Sequence, residues 1–182
     1  MHVLDLSLFN VLHGISGHYA WLDATIVFFG TYLLYILLAV LGYFTCKALL
    51  AGHTKRVYGY CAAVLAGLLA RFGVAELIRH LYHRPRPFVA LHVPHLLTDA
   101  SYSFPSGHTI FLFALGTLLL LVHKRLGYFF LVSGFLVGLA RVAGGVHYPS
   151  DIIGGMILGA ATGLLVYTVW RNLAGSIYIP SI

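Results

Sequence analysis

Long stretches of this chain carry no charge at all. Every residue from Ala24 to Cys46 is uncharged and most are apolar. Crossing the hydrocarbon of a bilayer takes ~20 such residues in a helix. Apolar runs of similar length cover Val57–Ile78, Ser106–Val122, Leu126–Ala143 and Ser150–Trp170, with Arg71, Glu76, Arg141 and Asp151 the charged residues inside them. Between and after them stand Lys47, Lys55 and Arg56, then Lys124 and Arg125, and finally Arg171. Charged residues are 9 % of the 182, against about 25 % in soluble domains, too few to cover a globular surface. The pattern predicts an all-α, polytopic membrane bundle of about five transmembrane helices. The length suits a single domain over 1–182, with a core over 57–170.

The first residues behave differently. Leu4, Leu8, Leu12 and Ile15 fall on one helical face, while Asp5, Asn10 and His13 interrupt the rest. We read residues 1–18 as a helix lying in the membrane interface. The absence of Lys and Arg before Gly17 argues against a secretory signal. Cys46 and Cys61 read as small buried apolar residues rather than a disulfide. The net charge of +6 is dispersed among apolar runs; without a basic stripe, no nucleic-acid partner is expected.

Lys and Arg in the loops set orientation. Lys47, Lys55, Arg56, Lys124, Arg125 and Arg171 fall on one side, which is expected to be cytoplasmic. Arg79, Arg84, Arg86 and Arg141 fall on the other, where the rule disfavours them and a functional reason is needed. Three short segments meet there: Arg79–Pro87, Phe104–His108 and Arg141–Asp151.

Arg79, Arg86 and Arg141 supply permanent planar cations suited to phosphate oxygens. Pro105 is placed as the first residue of a helix, so Ser106 and Gly107 would offer backbone N–H groups to an anion at its positive end. His147 and Asp151 are four apart across Pro149. A carboxylate on one ring nitrogen fixes the tautomer and leaves the other free as a nucleophile. His108 is then available as general acid for the leaving oxygen and later as base for water. The chain has five acidic residues, and only Asp99 and Asp151 read as outer-face carboxylates, with Glu76 near the boundary. That is too few for a two-metal site, so neither a metal nor another cofactor is expected. The pairs His80/His83 and His92/His95 read as lining the lip of the site or the loop surface rather than as metal ligands. Arg71 lies eight residues before Arg79, ~12 Å deeper along the helix, and reads as paired within the bundle, although Glu76, five residues on, has poor helical spacing for it. Glycines 134, 138, 154, 155, 159 and 163 read as allowing close helix packing.

Arg79-x6-Arg86-Pro87, Pro105-Ser-Gly-His108 and Arg141-x5-His147-x3-Asp151 resemble the three-part signature of the type 2 phosphatidic acid phosphatase (PAP2) family. Arg79 stands for the family's usual Lys, and Ala140 for a Ser. The resemblance implies that His147 forms a phosphohistidine backed by Asp151, that His108 protonates the leaving group, and that Arg79, Arg86, Ser106, Gly107 and Arg141 hold the phosphoryl oxygens. Within the family, the small size, His83-Arg-Pro-Arg-Pro-Phe88 and Val146-His-Tyr-Pro-Ser-Asp151 are most similar to bacterial undecaprenyl-diphosphate phosphatases. This implies a multi-pass protein of the bacterial cytoplasmic membrane, its site facing outward, releasing phosphate from undecaprenyl diphosphate. Arg84, in surplus of one phosphoryl group's needs, is the expected second-phosphate contact. Phosphatidic acid and phosphatidylglycerophosphate are alternative substrates, and an acceptor other than water stays open. A different class, a membrane transport protein holding an anion with these arginines, also stays open, but has no need of His108 or of a His147–Asp151 pair.

Overall fold

The computed structural model describes residues 3–176 in backbone and 3–173 in side chains, and all regular structure there is helical. Helix α1 is Val3–His13, α2 Ala20–Leu50, α3 Thr54–Leu81, α4 Pro87–Ala90, α5 Gly107–Val122, α6 Lys124–Ala143 and α7 Pro149–Ser176. Helices α2, α3, α6 and α7 are long and apolar enough to cross a membrane. The fifth expected span, α5, has 16 residues, or ~24 Å. It joins α6 through His123 alone, so the two run antiparallel.

Helix α5 is apolar on all sides, and such a helix belongs inside a bundle. Ile110, Leu112, Leu115, Leu118 and Leu119 are fully buried, with α3, α6 and α7 around them. Lipid is as apolar as leucine, so close packing has to hold the bundle together. The glycines provide it. Along α7, Gly155, Gly159 and Gly163 lie against the α5 backbone at Ser106, Ile110 and Ala114, where a Cβ would collide with carbonyl oxygens. On the opposite flank, Gly127 of α6 meets the backbone of Leu120 and Gly134 meets the Leu112 side chain.

Two helices change register. Phe28–Tyr32 in α2 and Leu69–Val74 in α3 are π-helical. The second explains a pairing that α-helical spacing disfavours: the wider turn brings Arg71 and Glu76 into a direct ion pair. Cys46 and Cys61 are free, and both lie on the outside of the bundle rather than in its interior.

Helix α1, ~16 Å long, is too short to span. It packs on α6 and α7, with Phe9 buried against Tyr148 and His13 Nδ1 2.9 Å from the Ala143 carbonyl oxygen. Leu4 and Leu8 face outward, and it is Asp5, from the supposed polar side, that turns into the protein. The bundle has two distinct ends. One holds the turn 51–53, Lys124 and the contact of Tyr60 Oη with His123 Nδ1 at 3.0 Å. The other holds α1, α4, the loop 91–106 and the turn from α6 to α7.

Candidate active site

At this second end the three sequence segments come together. Arg79 and Arg141 sit in the last turns of α3 and α6, and Arg86 precedes α4 in extended backbone. All three are buried. Arg79 donates from Nη1 to Glu76 Oε1 (2.8 Å) and from Nη2 to the Pro105 carbonyl (2.9 Å). Arg86 donates to the carbonyls of Ser101 (2.6 Å) and Val146 (2.9 Å), and its Nη1 lies 3.3 Å from His147 Nε2. Arg141 donates to the Gly30 carbonyl at 3.1 Å, which the π-helical segment of α2 presents to it.

Asp99, in the loop 91–106, joins two of these cations. Its Oδ2 is 2.9 Å from Arg86 Nη2 and 3.1 Å from Arg141 Nη2. Burial alone would raise its pKa, but Arg86, the Ser101 hydrogen bonds and Arg141 bring it down to about 2.

His147 follows α6 through Gly144 and Gly145. Gly145 has φ +84°, a left-handed conformation that turns the chain back over the end of α6. The His147 ring is fully buried. Its Nδ1 lies 3.4 Å from Asp151 Oδ2, longer than an ordinary charge-assisted hydrogen bond, and Nε2 is the nitrogen turned toward Arg86. Burial, which the Asp151 contact opposes and Arg141 and Arg86 reinforce, lowers its pKa to about 4. The imidazole is therefore neutral near pH 7. Asp151 sits in the first turn of α7, which opens on Pro149, one residue before the expected span. It accepts the Tyr148 N–H at 2.8 Å and the Ser103 hydroxyl at 2.5 Å.

The start of α5 departs from expectation. Pro105 is not the first helical residue: its carbonyl is held by Arg79, Ser106 is the extended N-cap, and Gly107 opens the helix. The Ser106 N–H is not free either, because it donates to the Asp151 carbonyl at 3.1 Å and ties α5 to α7. The N–H groups of Gly107, His108 and Thr109 are those that open the helix without a partner inside it. Gly107 also makes room for Arg71, whose guanidinium lies where a Cβ would be. His108 is half-buried, with Arg141, His147 and Asp99 around it. A cavity of about 630 Å³ opens at this end, with Glu76, Arg79, Arg86 and Asp99 on its polar side and Phe88, Val89 and Tyr102 on its apolar side.

Arg84 is placed differently from the sequence expectation of a second-phosphate contact. Its Nη1 donates to Asp151 Oδ1 (2.6 Å) and Ser150 Oγ (2.7 Å), and its Nη2 to Asp5 Oδ2 (2.5 Å). The guanidinium stacks over Tyr148, 4.2 Å from the ring centre, and these partners occupy both ends of its fork. The carboxylate count also changes. Asp5 and Glu76 join Asp99 and Asp151, so four acidic residues are interleaved with five arginines. Sequence reasoning missed Asp5, Ser101 and Ser103 as site residues. A lone carboxylate in an apolar helix was the one available signal for Asp5. The lip histidines pack on aromatic rings, His83 on Tyr102 and His95 on Phe88.

The fold and this end of the bundle define a polytopic membrane protein with a histidine-bearing site built around buried arginines. The PAP2 superfamily pattern matches residues 30–174, and the chain belongs to that superfamily. Undecaprenyl-diphosphatase BcrC of Bacillus subtilis is 32 % identical over 170 residues, 90 % of this chain and 83 % of that protein. A Bacillus licheniformis relative named bacitracin transport permease protein BcrC is 31 % identical over 166 residues, 90 % and 79 % of the two chains. The crystal structure of Aquifex aeolicus LpxE superimposes with a TM-score of 0.71 at 25 % identity, over 92 % of this chain and 96 % of that one.

Proposed function

We propose that the chain is a membrane phosphatase that removes the terminal phosphate of undecaprenyl diphosphate through a phosphohistidine, at the outer face of a bacterial cytoplasmic membrane. The observation that carries this reading is a fully buried His147 directly behind Arg86, in a cluster of buried arginines, two of which, Arg79 and Arg86, line a cavity. In this mechanism the terminal phosphate lies between Arg79, Arg86, Arg141, the Ser106 hydroxyl and the first N–H groups of α5, displacing Glu76 and Asp99 from the arginines. His147 Nε2 attacks phosphorus as the bond to the bridging oxygen breaks. His108 gives that oxygen its proton, and undecaprenyl phosphate leaves. Asp151 stabilises the positive charge that reaches the ring. His108, now basic, takes a proton from water, whose oxygen attacks the phosphohistidine. Inorganic phosphate leaves and both histidines return to their starting states.

The diphosphatase among the relatives and the site's place at one end of the bundle support this substrate. A lipid phosphate can enter there while its chain stays in the bilayer. The apolar wall of Phe88, Val89 and Tyr102 would meet the first part of that chain. The second relative is named a bacitracin transport permease; a transport protein holding an anion would use the arginines but not the His147–Asp151 pair. Purified protein offered undecaprenyl diphosphate, phosphatidic acid and phosphatidylglycerophosphate in one detergent should release phosphate with the highest kcat/KM for the first. His147→Ala should abolish release from all three. A preference for a glycerophospholipid would overturn the substrate; full activity of His147→Ala would overturn the mechanism; and no release from any lipid would favour transport.

A further inference from the structure

We infer that Asp5, on the N-terminal helix, is a positioning residue for catalysis: by holding Arg84 and Ser150 it fixes Asp151 against His147. The inference deepens the phosphohistidine reading and rests on it.

Asp5 is buried, 74 residues before the first motif arginine and 146 before Asp151, and its side-chain contacts lead toward Asp151. Its Oδ1 accepts the Ser150 N–H at 2.9 Å. Its Oδ2 accepts the Ser150 hydroxyl at 2.6 Å and Arg84 Nη2 at 2.5 Å. The other arm of the same guanidinium reaches Asp151 Oδ1 at 2.6 Å. A continuous chain of contacts therefore runs Asp5–Arg84–Asp151–His147.

The geometry says what Asp5 contributes. An arginine fork facing one carboxylate binds it with both arms. Were Arg84 free to do so, it would claim Asp151 Oδ2 as well as Oδ1. That second oxygen is the one turned to His147, and it also holds the Ser103 hydroxyl and the Tyr148 N–H. Asp5 occupies the second arm of Arg84 and leaves Oδ2 to the histidine. Charge works in the same direction. Asp5 neutralises Arg84, so Asp151 keeps a negative charge for the imidazolium that forms during attack. Burial would lower the Arg84 pKa, but Asp151 and Asp5 together hold it above its ordinary value.

Mere attachment of α1 does not call for this arrangement. Phe9 already docks the helix against Tyr148, and a buried ion pair is a weak source of stability compared with an apolar contact of the same volume. A carboxylate at position 5 is explained by what it does to Arg84.

The experiment uses full-length protein in detergent with the lipid substrate, comparing Asp5→Asn, Asp5→Glu, Arg84→Ala and the double variant Asp5→Asn/Arg84→Ala. We expect Asp5→Asn to lower kcat by about tenfold or more, the scale seen when a group orienting a reactive residue is lost, with KM within twofold and little change in melting temperature. Asp5→Glu should recover part of that loss. Because Asp5 acts through Arg84, the double variant should be no slower than Arg84→Ala alone. Wild-type kcat in folded Asp5→Asn, or losses that multiply in the double variant, would overturn the inference. Should Asp5→Asn fail to fold, Ser150→Ala takes its place, since it removes the hydroxyl shared by Asp5 and Arg84; unchanged kcat there would overturn it equally. Activity of His147→Ala is the separate control: if retained, the phosphohistidine itself fails, whatever Asp5 does.

Discussion

Replacing Gly159 by alanine should impair an active site that Gly159 does not touch. The residue lies near the middle of α7, on the face against α5. A Cβ there would stand 2.5 Å from the Ile110 carbonyl oxygen, 2.9 Å from Phe113 Cβ and 3.0 Å from the Ala114 nitrogen. Ordinary contacts begin near 3.4 Å, so the two helices must separate by about 0.9 Å, the difference between that distance and the shortest of the three. Backbone atoms cannot step aside as a flexible side chain can. At their outer ends α5 carries Ser106, Gly107 and His108, and α7 carries Asp151 beside His147. The Ser106 N–H to Asp151 carbonyl bond of 3.1 Å crosses the same seam. A misplacement of about 1 Å between groups that must meet in one geometry can cost about 100-fold in rate. Overpacking should cost about 1–3 kcal/mol of stability. The assay is kcat for phosphate release by detergent-purified protein, with melting temperature measured on the same sample. Gly42→Ala is the control, because the added methyl group would meet no atom within 4 Å beyond its own stretch of helix, and it should stay within twofold of wild type. Wild-type kcat in folded Gly159→Ala would refute the claim that this seam sets the site's geometry.

Three further outcomes are expected. Activity should persist in excess chelator and be inhibited by vanadate, since the arginines supply the positive charge that a phosphoryl group needs and each of the four carboxylates pairs with one or two of them; loss in chelator with recovery on adding magnesium or zinc would contradict this. His147 should remain neutral from pH 8 down to about 5.5, read from its imidazole nitrogen shifts in micelles, because burial holds its pKa at about 4. With the folded value below the unfolded value of about 6.5, the unfolded chain binds more protons in between, so His147 costs stability as pH falls through that window; titration near pH 6.5 would contradict the burial argument. Finally, in a background lacking Cys46 and Cys61, a cysteine in the loop 91–106 should react with an impermeant thiol reagent in intact cells while one at position 124 should not, and the reverse pattern would invert the proposed orientation.

Much of this architecture is local in origin and can be read along the chain. A helix in lipid satisfies its own backbone, so apolar runs disclose the spans wherever their ends are marked by charge. Val57–Ile78 and Leu126–Ala143 were legible in this way, and both helices extend slightly beyond them. The motif arginines and histidines were legible because their spacing in helix-terminal segments brings them to one end. The short α5 was legible as apolar, but not as the buried centre of the bundle. Its place there depends on the glycines of α6 and α7, and those matter only through what they face.

The sequence by itself determined a helical membrane bundle, its PAP2 membership, and the gathering of Arg79, Arg86, Ser106, Gly107, His108, Arg141, His147 and Asp151 at one end. The bundle and the gathering follow from periodicity and spacing, which act over a few turns of chain, and the membership from the likeness of three motifs to that family. Only the tertiary structure decided the partners. It turned Arg84 away from the expected phosphate and onto Asp151, paired Arg71 with Glu76 through a π-helical turn, and set Asp99 between Arg86 and Arg141. It also carried Asp5 from the far end of the chain to the back of the His147–Asp151 pair. An ion pair depends on distance and burial in three dimensions, and nothing in the order of residues states how α1 lies across α6 and α7.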